Sequence, residues 1–244
     1  MKNTKPTQEK LADLGALASG LVHEIRNPLN AIKANLQLMQ EDVEREEREE
    51  REEEGPHSRR VQRLLKEVDR LDKILSDFLA FVRSDELKRK LCDLSVLIQE
   101  VVSLITPQAE AEGVTVLSDL TQSVYSMVDT EAMKQAIMNL AMNGIQAIGE
   151  NKALSKTLIF KLGKLEKGGK KFAAISVIDT GKGISEEEIK HIYELFFTTR
   201  SGGTGIGLAV VSRIIQSHGG EIRCESEIGK GTSFDILLPL EAED

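Results

Sequence analysis

Tryptophan is absent from the chain, and aromatic residues make up only 4% of its 244 positions. The interior must therefore be built from Leu, Ile, Val and Ala, packed by interdigitation rather than around large rings. Only two cysteines are present, Cys92 and Cys224. Their separation matches no metal-binding or redox spacing, so two reduced thiols of a cytosolic protein are expected. No stretch approaches the roughly 18 apolar residues of a membrane-spanning helix. The first residues, MKNTKPTQEK, lack the apolar core of a signal peptide, and a cytoplasmic location is expected. A basic excess is also missing: the net charge is −8, and nothing in it favours nucleic acid as a partner. No G-x-x-x-x-G-K-[ST] run occurs, which excludes a P-loop.

The negative charge is concentrated. Residues 41–54, EDVEREEREEREEE, hold ten acids and three arginines. Each arginine has a glutamate four residues before it, a spacing that favours helix by a few tenths of a kcal/mol per pair. With no apolar residue after Val43, the run reads as a solvated helix extension.

On either side of it lie two helical patterns. Leu11, Leu14, Ala18, Leu21, Ile25, Leu29, Ile32, Leu36, Met39 and Val43 recur in steps of three and four, with one extra four-step between Leu21 and Leu29. That is a coiled-coil seam carrying a stutter. Val61, Leu64, Val68, Leu71, Leu75, Phe78 and Val82 continue the pattern unbroken, and Gly55-Pro56 reads as the turn of a helical hairpin. One hairpin leaves much of each seam wet, so pairing with a second copy into a four-helix bundle is expected.

From about residue 90 strands and helices mix. LCDLSVLIQEVVSLITPQAEAEG reads as a short strand then a helix, VTVLSDL and SVYSMV as strands, and DTEAMKQAIMNLAMNGIQAIG as a helix. TLIFKLGKLEKGGKKFAAISVID is a hairpin turning at Gly168-Gly169, and a helix from Gly205 to His218 precedes two final strands. The last two strands form a hairpin, so an α/β sandwich with helices on one face fits best. The expected division is a helical hairpin over residues 8–84 and an α/β domain over 88–241.

Three glycine clusters punctuate this second half. DTGKGIS places Asp179 at a strand end, on a loop that Gly181 and Gly183 free from steric restriction, and Ser185 with Glu188 makes a capping box. GGTGIGLAV (202–210) leads straight into a helix, whose N-terminal N–H groups suit an anion. GKGT (229–232) is a turn between the last strands.

The order of these motifs is specific. NLAMN, DTGKG, FFTTR, GTGIGL and GKGT resemble the N, G1, F, G2 and G3 boxes of the GHKL ATP-binding fold. HEIRNP, on the first helix of the hairpin, resembles the H box of a sensor histidine kinase. The resemblance covers residues 10 to 240. It implies that ATP lies between the N-box helix and a lid over residues 184–202. Asn139 and Asn143 share a helix face, and Asn143 would offer its amide oxygen to magnesium; Gln146, where many relatives carry a basic residue, faces the phosphates. Asp179 would accept a hydrogen bond from the adenine amino group. Phe196 folds the lid onto the body, and Thr198, Thr199 and Arg200 reach toward phosphate oxygens. Gly203, Gly205 and Gly207, with Thr204, Ile206 and Leu208 between them and Thr232 of the last turn, complete the nucleotide site.

His23 is then the expected nucleophile toward the γ-phosphoryl, Glu24 the acid that orients or deprotonates it, and Asn27 the residue that positions water for removing phosphate from a partner. A response regulator is the implied partner. Pro28 removes the helical partner of the Glu24 carbonyl and the stutter falls on the same turn, so a bent or unwound helix is expected beside His23. The other histidines read as bland: His57 in the turn, His191 in a polar stretch, His218 at a helix end where a positive charge suits the dipole. The rival readings are a GHKL ATPase, disfavoured because Asn139 stands where such enzymes use a glutamate base, and a catalytically dead dimeric scaffold.

Overall fold

Where the structure describes them, the seams of threes and fours fold as helices. The computed structural model describes residues 25–39, 61–62, 64–65, 67–68, 71, 74–75, 87–120, 123–151, 155–200 and 203–240. The chain divides into two units, Met1–Leu79 and Ala80–Asp244. In the first unit, residues 25–39 form α1, and the described positions between 61 and 75 are helical and belong to α2. His23, Glu24, the Gly55-Pro56 turn, the Glu/Arg run and most of the expected bend lie outside the described residues. From residue 25 to residue 39 the chain is helical without a break, with Pro28 buried and Asn27 exposed.

Each seam splits into two lines. On α1, Ile25, Ile32 and Met39 are half-buried, whereas Leu29 and Leu36 are 50% and 52% exposed. On α2, Leu64 and Leu71 are half-buried while Val61, Val68 and Leu75 are exposed. Among the described residues a single chain thus covers one line of each apolar stripe.

The second unit is an α/β sandwich. Its elements run β1 (Lys90–Asp93), α3 (Leu94–Ala111), β2 (Thr115–Asp119), β3 (Tyr125–Val128), α4 (Thr130–Gly149), β4 (Thr157–Lys167), β5 (Lys170–Asp179), α5 (Glu186–Ile189), α6 (Gly207–Ser217), β6 (Glu221–Glu227) and β7 (Gly231–Pro239). β1 and β3 make a separate antiparallel ribbon, and the main sheet has the order β2-β4-β5-β7-β6. Only the β2–β4 pairing in it is parallel. The β4–β5 hairpin turns at Gly168-Gly169, as the sequence predicts.

The sheet's inner face is built in cross-strand rows, because every second residue of a strand points the same way. Leu162, Ile175, Ile236 and Ile222 form one row, and Phe160, Val177, Phe234 and Cys224 the next. These residues are buried or half-buried under α3, α4 and α6. The last row is Leu158, Asp179, Thr232 and Ser226. It sets one buried carboxylate and two hydroxyls at the end of an aliphatic core.

Helix ends follow the sequence signals. Asp93 and Asp129 cap α3 and α4, and Ser185 with Glu188 forms the expected reciprocal capping box. His218 departs from expectation. It is only 4% exposed; its Nε2 accepts the Asp129 N–H at 2.9 Å, and Nδ1 lies 2.8 Å from the Ile214 carbonyl. An acceptor Nε2 fixes the proton on Nδ1, so the ring is neutral, and burial pushes its pKa below the usual histidine value. It joins the end of α6 to the start of α4 rather than answering a helix dipole with charge. Cys92 and Cys224 are both unpaired. Among the described residues no helix is long and apolar enough to cross a membrane.

Candidate nucleotide site

The polar row at the sheet end meets three segments: the loop after β5, the middle of α4, and the start of α6. Asp179, the last residue of β5, is 6% exposed. Its Oδ1 accepts the Gly181 N–H at 2.8 Å, and the Thr232 N–H also donates to the carboxylate. Burial pushes its pKa up to about 6, against the pull of those two donors and of the Arg200 charge. A carboxylate held in such a place, with donors fixing one side, is prepared to accept a hydrogen bond from a ligand. Thr232, 4% exposed, is beside it, with Ser226 Oγ 2.9 Å from its hydroxyl. Ser226 Oγ also accepts the Ile184 N–H at 2.8 Å and so ties the glycine loop to β6.

The asparagines of α4 do share a face, four residues apart. Asn139 is buried and its Nδ2 donates to the Gly207 carbonyl at 3.4 Å, which seats the start of α6 against α4. Asn143 is half-buried and Gln146 exposed. Both are met by Arg200, whose Nη1 donates to Asn143 Oδ1 at 3.3 Å and to Gln146 Oε1 at 2.8 Å. Its Nη2 donates to the Asn143 carbonyl at 2.9 Å, and its Nε lies 3.9 Å from Glu150 Oε1. Arg200 thus brings a positive charge to α4 where magnesium-bound phosphates are expected.

The start of α6 has no side-chain cap, its N-cap being Ile206. The N–H groups of its first turn, at Gly207, Leu208 and Ala209, therefore remain as donors suited to an anion. Thr204 is buried, with its hydroxyl 3.4 Å from the Ile206 N–H. The loop leading there is closed at its base by Phe196, whose N–H donates to the Gly205 carbonyl at 2.9 Å. Both residues have left-handed backbone, with φ of 66° and 64°. Phe196 is the one non-glycine residue in that region among the described residues, and such strain at a ligand loop is a mark of function. A side chain on Gly205 would press within 2.3 Å of the Phe196 carbonyl carbon. Thr198 Oγ1 accepts the Arg200 N–H at 3.1 Å, and Gly203 sits against that hydroxyl. Thr199 is exposed.

The structure therefore gathers Asn139, Asn143, Gln146, Asp179, Gly181, Arg200, Thr204, Gly205, Gly207 and Thr232 around one end of the sandwich. His23 and Glu24 lie outside the described residues, and Asn27 belongs to the other unit. Three residues join the gathering without a sequence signal: Ser226, Glu150 and Asn151. Ser226 follows from strand register alone, and the other two stand just past the end of α4.

The donor chemistry fits magnesium carried with a nucleotide. Magnesium keeps most of its ligands as phosphate oxygens and water and takes one or two oxygens from protein. The Asn143 amide is a neutral hard oxygen of that kind.

Residues 13–87 match the profile of the His Kinase A (phospho-acceptor) domain. Residues 128–242 match that of the histidine kinase-, DNA gyrase B- and HSP90-like ATPases. Among curated proteins, the sensor histidine kinase ZraS of Escherichia coli (strain K12) is 35% identical over 234 residues, spanning 96% of this chain and 47% of ZraS. The chain spans about half the length of the curated relatives it matches. Among solved structures, the histidine kinase ThkA in complex with the response regulator protein TrrA superposes with a TM-score of 0.73 at 24% identity, over 96% of this chain and 64% of that one. Full-length ShkA in complex with AMPPNP gives 0.64 at 23% identity, over 97% and 47%. Phospho-acceptor helices followed by an ATPase-like sandwich, in the order of these relatives, make the chain a member of the sensor histidine kinases of two-component systems, of which it represents the catalytic core.

Proposed function

We propose that this core is an ATP-dependent protein histidine kinase that phosphorylates itself on His23 and passes the phosphoryl group to an aspartate of a response regulator. The observation that carries the reading is Asp179 in the last cross-strand row: a buried carboxylate, fixed by two backbone donors, facing the helix that bears Asn139 and Asn143. A carboxylate discriminates adenine from guanine, because adenine presents an amino group where guanine presents a carbonyl. ShkA, a structural neighbour, is described with AMPPNP, and ThkA with a response regulator; both support the same assignment here.

In this reading the Asn143 amide oxygen would hold magnesium, which would neutralise phosphate charge when bound. The free N–H groups of α6 and the guanidinium of Arg200 hold phosphate oxygens, Arg200 exchanging Asn143 for the nucleotide. A neutral nitrogen of His23 attacks the γ-phosphorus, the bond to the bridging oxygen breaks, and ADP leaves. Glu24 orients the imidazole. The phosphoryl group then moves to the regulator's carboxylate. The exposed lines of α1 and α2 (Leu29, Leu36, Val61, Val68 and Leu75) support a homodimer in which a second copy covers them. A need for ATP and for a receiver partner supports a cytoplasmic location for the core.

Incubation with γ-labelled ATP tests the assignment against its rivals. Acid-labile, base-stable label on the protein supports the kinase; free phosphate alone supports an ATPase; failure to bind ATP supports a scaffold. The core is also expected to dephosphorylate its regulator through Asn27, which lies exposed on α1. Asn27→Ala should slow release of phosphate from the phosphorylated receiver by about tenfold or more, the cost of a misplaced water, while autophosphorylation continues. Unchanged dephosphorylation would remove Asn27 from this role.

A further inference from the structure

Asn151, the first residue after the C-cap of α4, reaches far from its own helix. Its carboxamide donates to the Thr180 carbonyl at 3.0 Å and to the Gly181 carbonyl at 2.9 Å. The first of these contacts has a particular consequence. The Thr180 carbonyl and the Gly181 N–H belong to one peptide group, and in a planar trans peptide they point in opposite directions. Holding the carbonyl therefore aims the N–H. That N–H is the one donated to Asp179 Oδ1 at 2.8 Å.

The result is a chain of aligned dipoles: carboxamide, peptide, carboxylate. Each member polarises the next along a path that runs from the half-buried Asn151 to the buried Asp179. The same loop is fixed at its flanks, with Thr180 N–H on the Thr157 carbonyl at 3.1 Å and Lys182 N–H on the Ala147 carbonyl at 3.2 Å. There is no slack between them: a Cβ on Gly181 would lie 2.6 Å from Asp179 Oδ1 and 2.7 Å from the Ala147 Cβ. Between those flanking ties, the Thr180–Gly181 peptide is held by the Asn151 carboxamide on its carbonyl side and by Asp179 on its N–H side.

We propose that Asn151 is a positioning residue for adenine recognition: its carboxamide orients the Thr180–Gly181 peptide and, through it, the Asp179 carboxylate that accepts the adenine amino group. The inference rests on the reading of Asp179 as the adenine acceptor. Asn151 itself touches no nucleotide, so its loss alters what Asp179 can do rather than removing a contact.

The test is calorimetric titration of the whole chain with magnesium ATP and magnesium GTP between pH 5 and pH 8, for wild type, Asn151→Ala and Asn151→Ser, beside thermal melts. Asn151→Ala should bind ATP about tenfold more weakly, the size of one lost charge-linked hydrogen bond. GTP binding should stay as it was, so the preference for adenine shrinks. With its donor less well aimed, Asp179 should hold its proton to higher pH, and the acid fall-off of ATP binding should move upward. Asn151→Ser keeps one donor, should give intermediate values, and carries the test if the alanine variant melts too low. Wild-type affinity, ATP preference and acid fall-off in either variant, even with a lowered melting temperature, would overturn the inference and leave Asn151 as a tie between loop and helix. A wild-type protein indifferent to ATP and GTP would instead sink the reading of Asp179, and the inference with it.

Discussion

Asp179→Asn should abolish useful ATP binding and yet make the unliganded protein more stable. Burial raises the carboxyl from its ordinary 3.8 to about 6, which corresponds to about 3 kcal/mol against the charged form at neutral pH. The sign follows from the raised value. Below pH 3.8 the group is neutral in folded and unfolded chains alike, and nothing is lost. Between 3.8 and about 6 the unfolded chain ionises while the folded one does not, so stability falls as pH rises. Above about 6 both are ionised and the full cost remains. An asparagine keeps an oxygen for the Gly181 N–H and carries no charge. The variant should therefore unfold at higher denaturant or temperature at pH 7, by up to about 3 kcal/mol. The difference should vanish near pH 3.8.

The same substitution ruins the site. With the amide oxygen committed to backbone donors, its NH2 faces the adenine amino group, donor against donor. A lost charge-assisted hydrogen bond together with an unsatisfied buried donor predicts at least about a hundredfold weaker ATP binding. A variant both more stable and unable to bind would show that Asp179 is held charged for its ligand and not for the fold. Equal stability of the two proteins at pH 7 would contradict the burial argument, and retained ATP affinity would contradict the adenine role.

Gly231→Ala should be the most damaging single methyl group in the sandwich. Gly231 opens β7 with φ of 125°, a conformation that side chains rarely adopt. A Cβ there would fall 1.9 Å from the Asp179 carbonyl oxygen. The obstacle is backbone on both sides, since Thr232 pairs with Asp179 across β5 and β7, so no side chain can swing away. The loss should exceed about 4 kcal/mol, the range kept for strain and overpacking in a core. Denaturant unfolding would register it as a collapse of the transition midpoint. A midpoint within about 0.5 kcal/mol of wild type would mean that the strand ends part easily, and the row that carries Asp179 is less rigid than described. The third glycine box is thus the buttress of the first.

Particular residues mark what the sequence could and could not reveal. Strand periods, the two asparagines four apart, and the Ser185–Glu188 box are local patterns, and each appears in the structure where its spacing put it. The parallel pairing of β2 with β4 joins strands that β3 and α4 separate in sequence, which no local pattern encodes. His218 precedes two glycines and so reads as a helix-end residue suited to the dipole; the hydrogen bond that buries its Nε2 comes from Asp129 at the start of α4, far away in sequence. Phe196 gave no hint of its left-handed backbone, since an aromatic residue is a poor candidate for that region. The family resemblance implies phosphate as the partner of Arg200, and its partners on α4 emerge only when the loop folds back. Asn151 was invisible for the same reason: its partners are 29 and 30 residues away.

The claim on which the rest depends is that one imidazole carries phosphate between nucleotide and partner. It is tested most directly by treating the whole chain with magnesium ATP and locating the modification by mass spectrometry at neutral to alkaline pH. The account predicts phosphate on His23 and none on the His23→Gln variant. Phosphate on another residue, or modification that survives in His23→Gln, would contradict it.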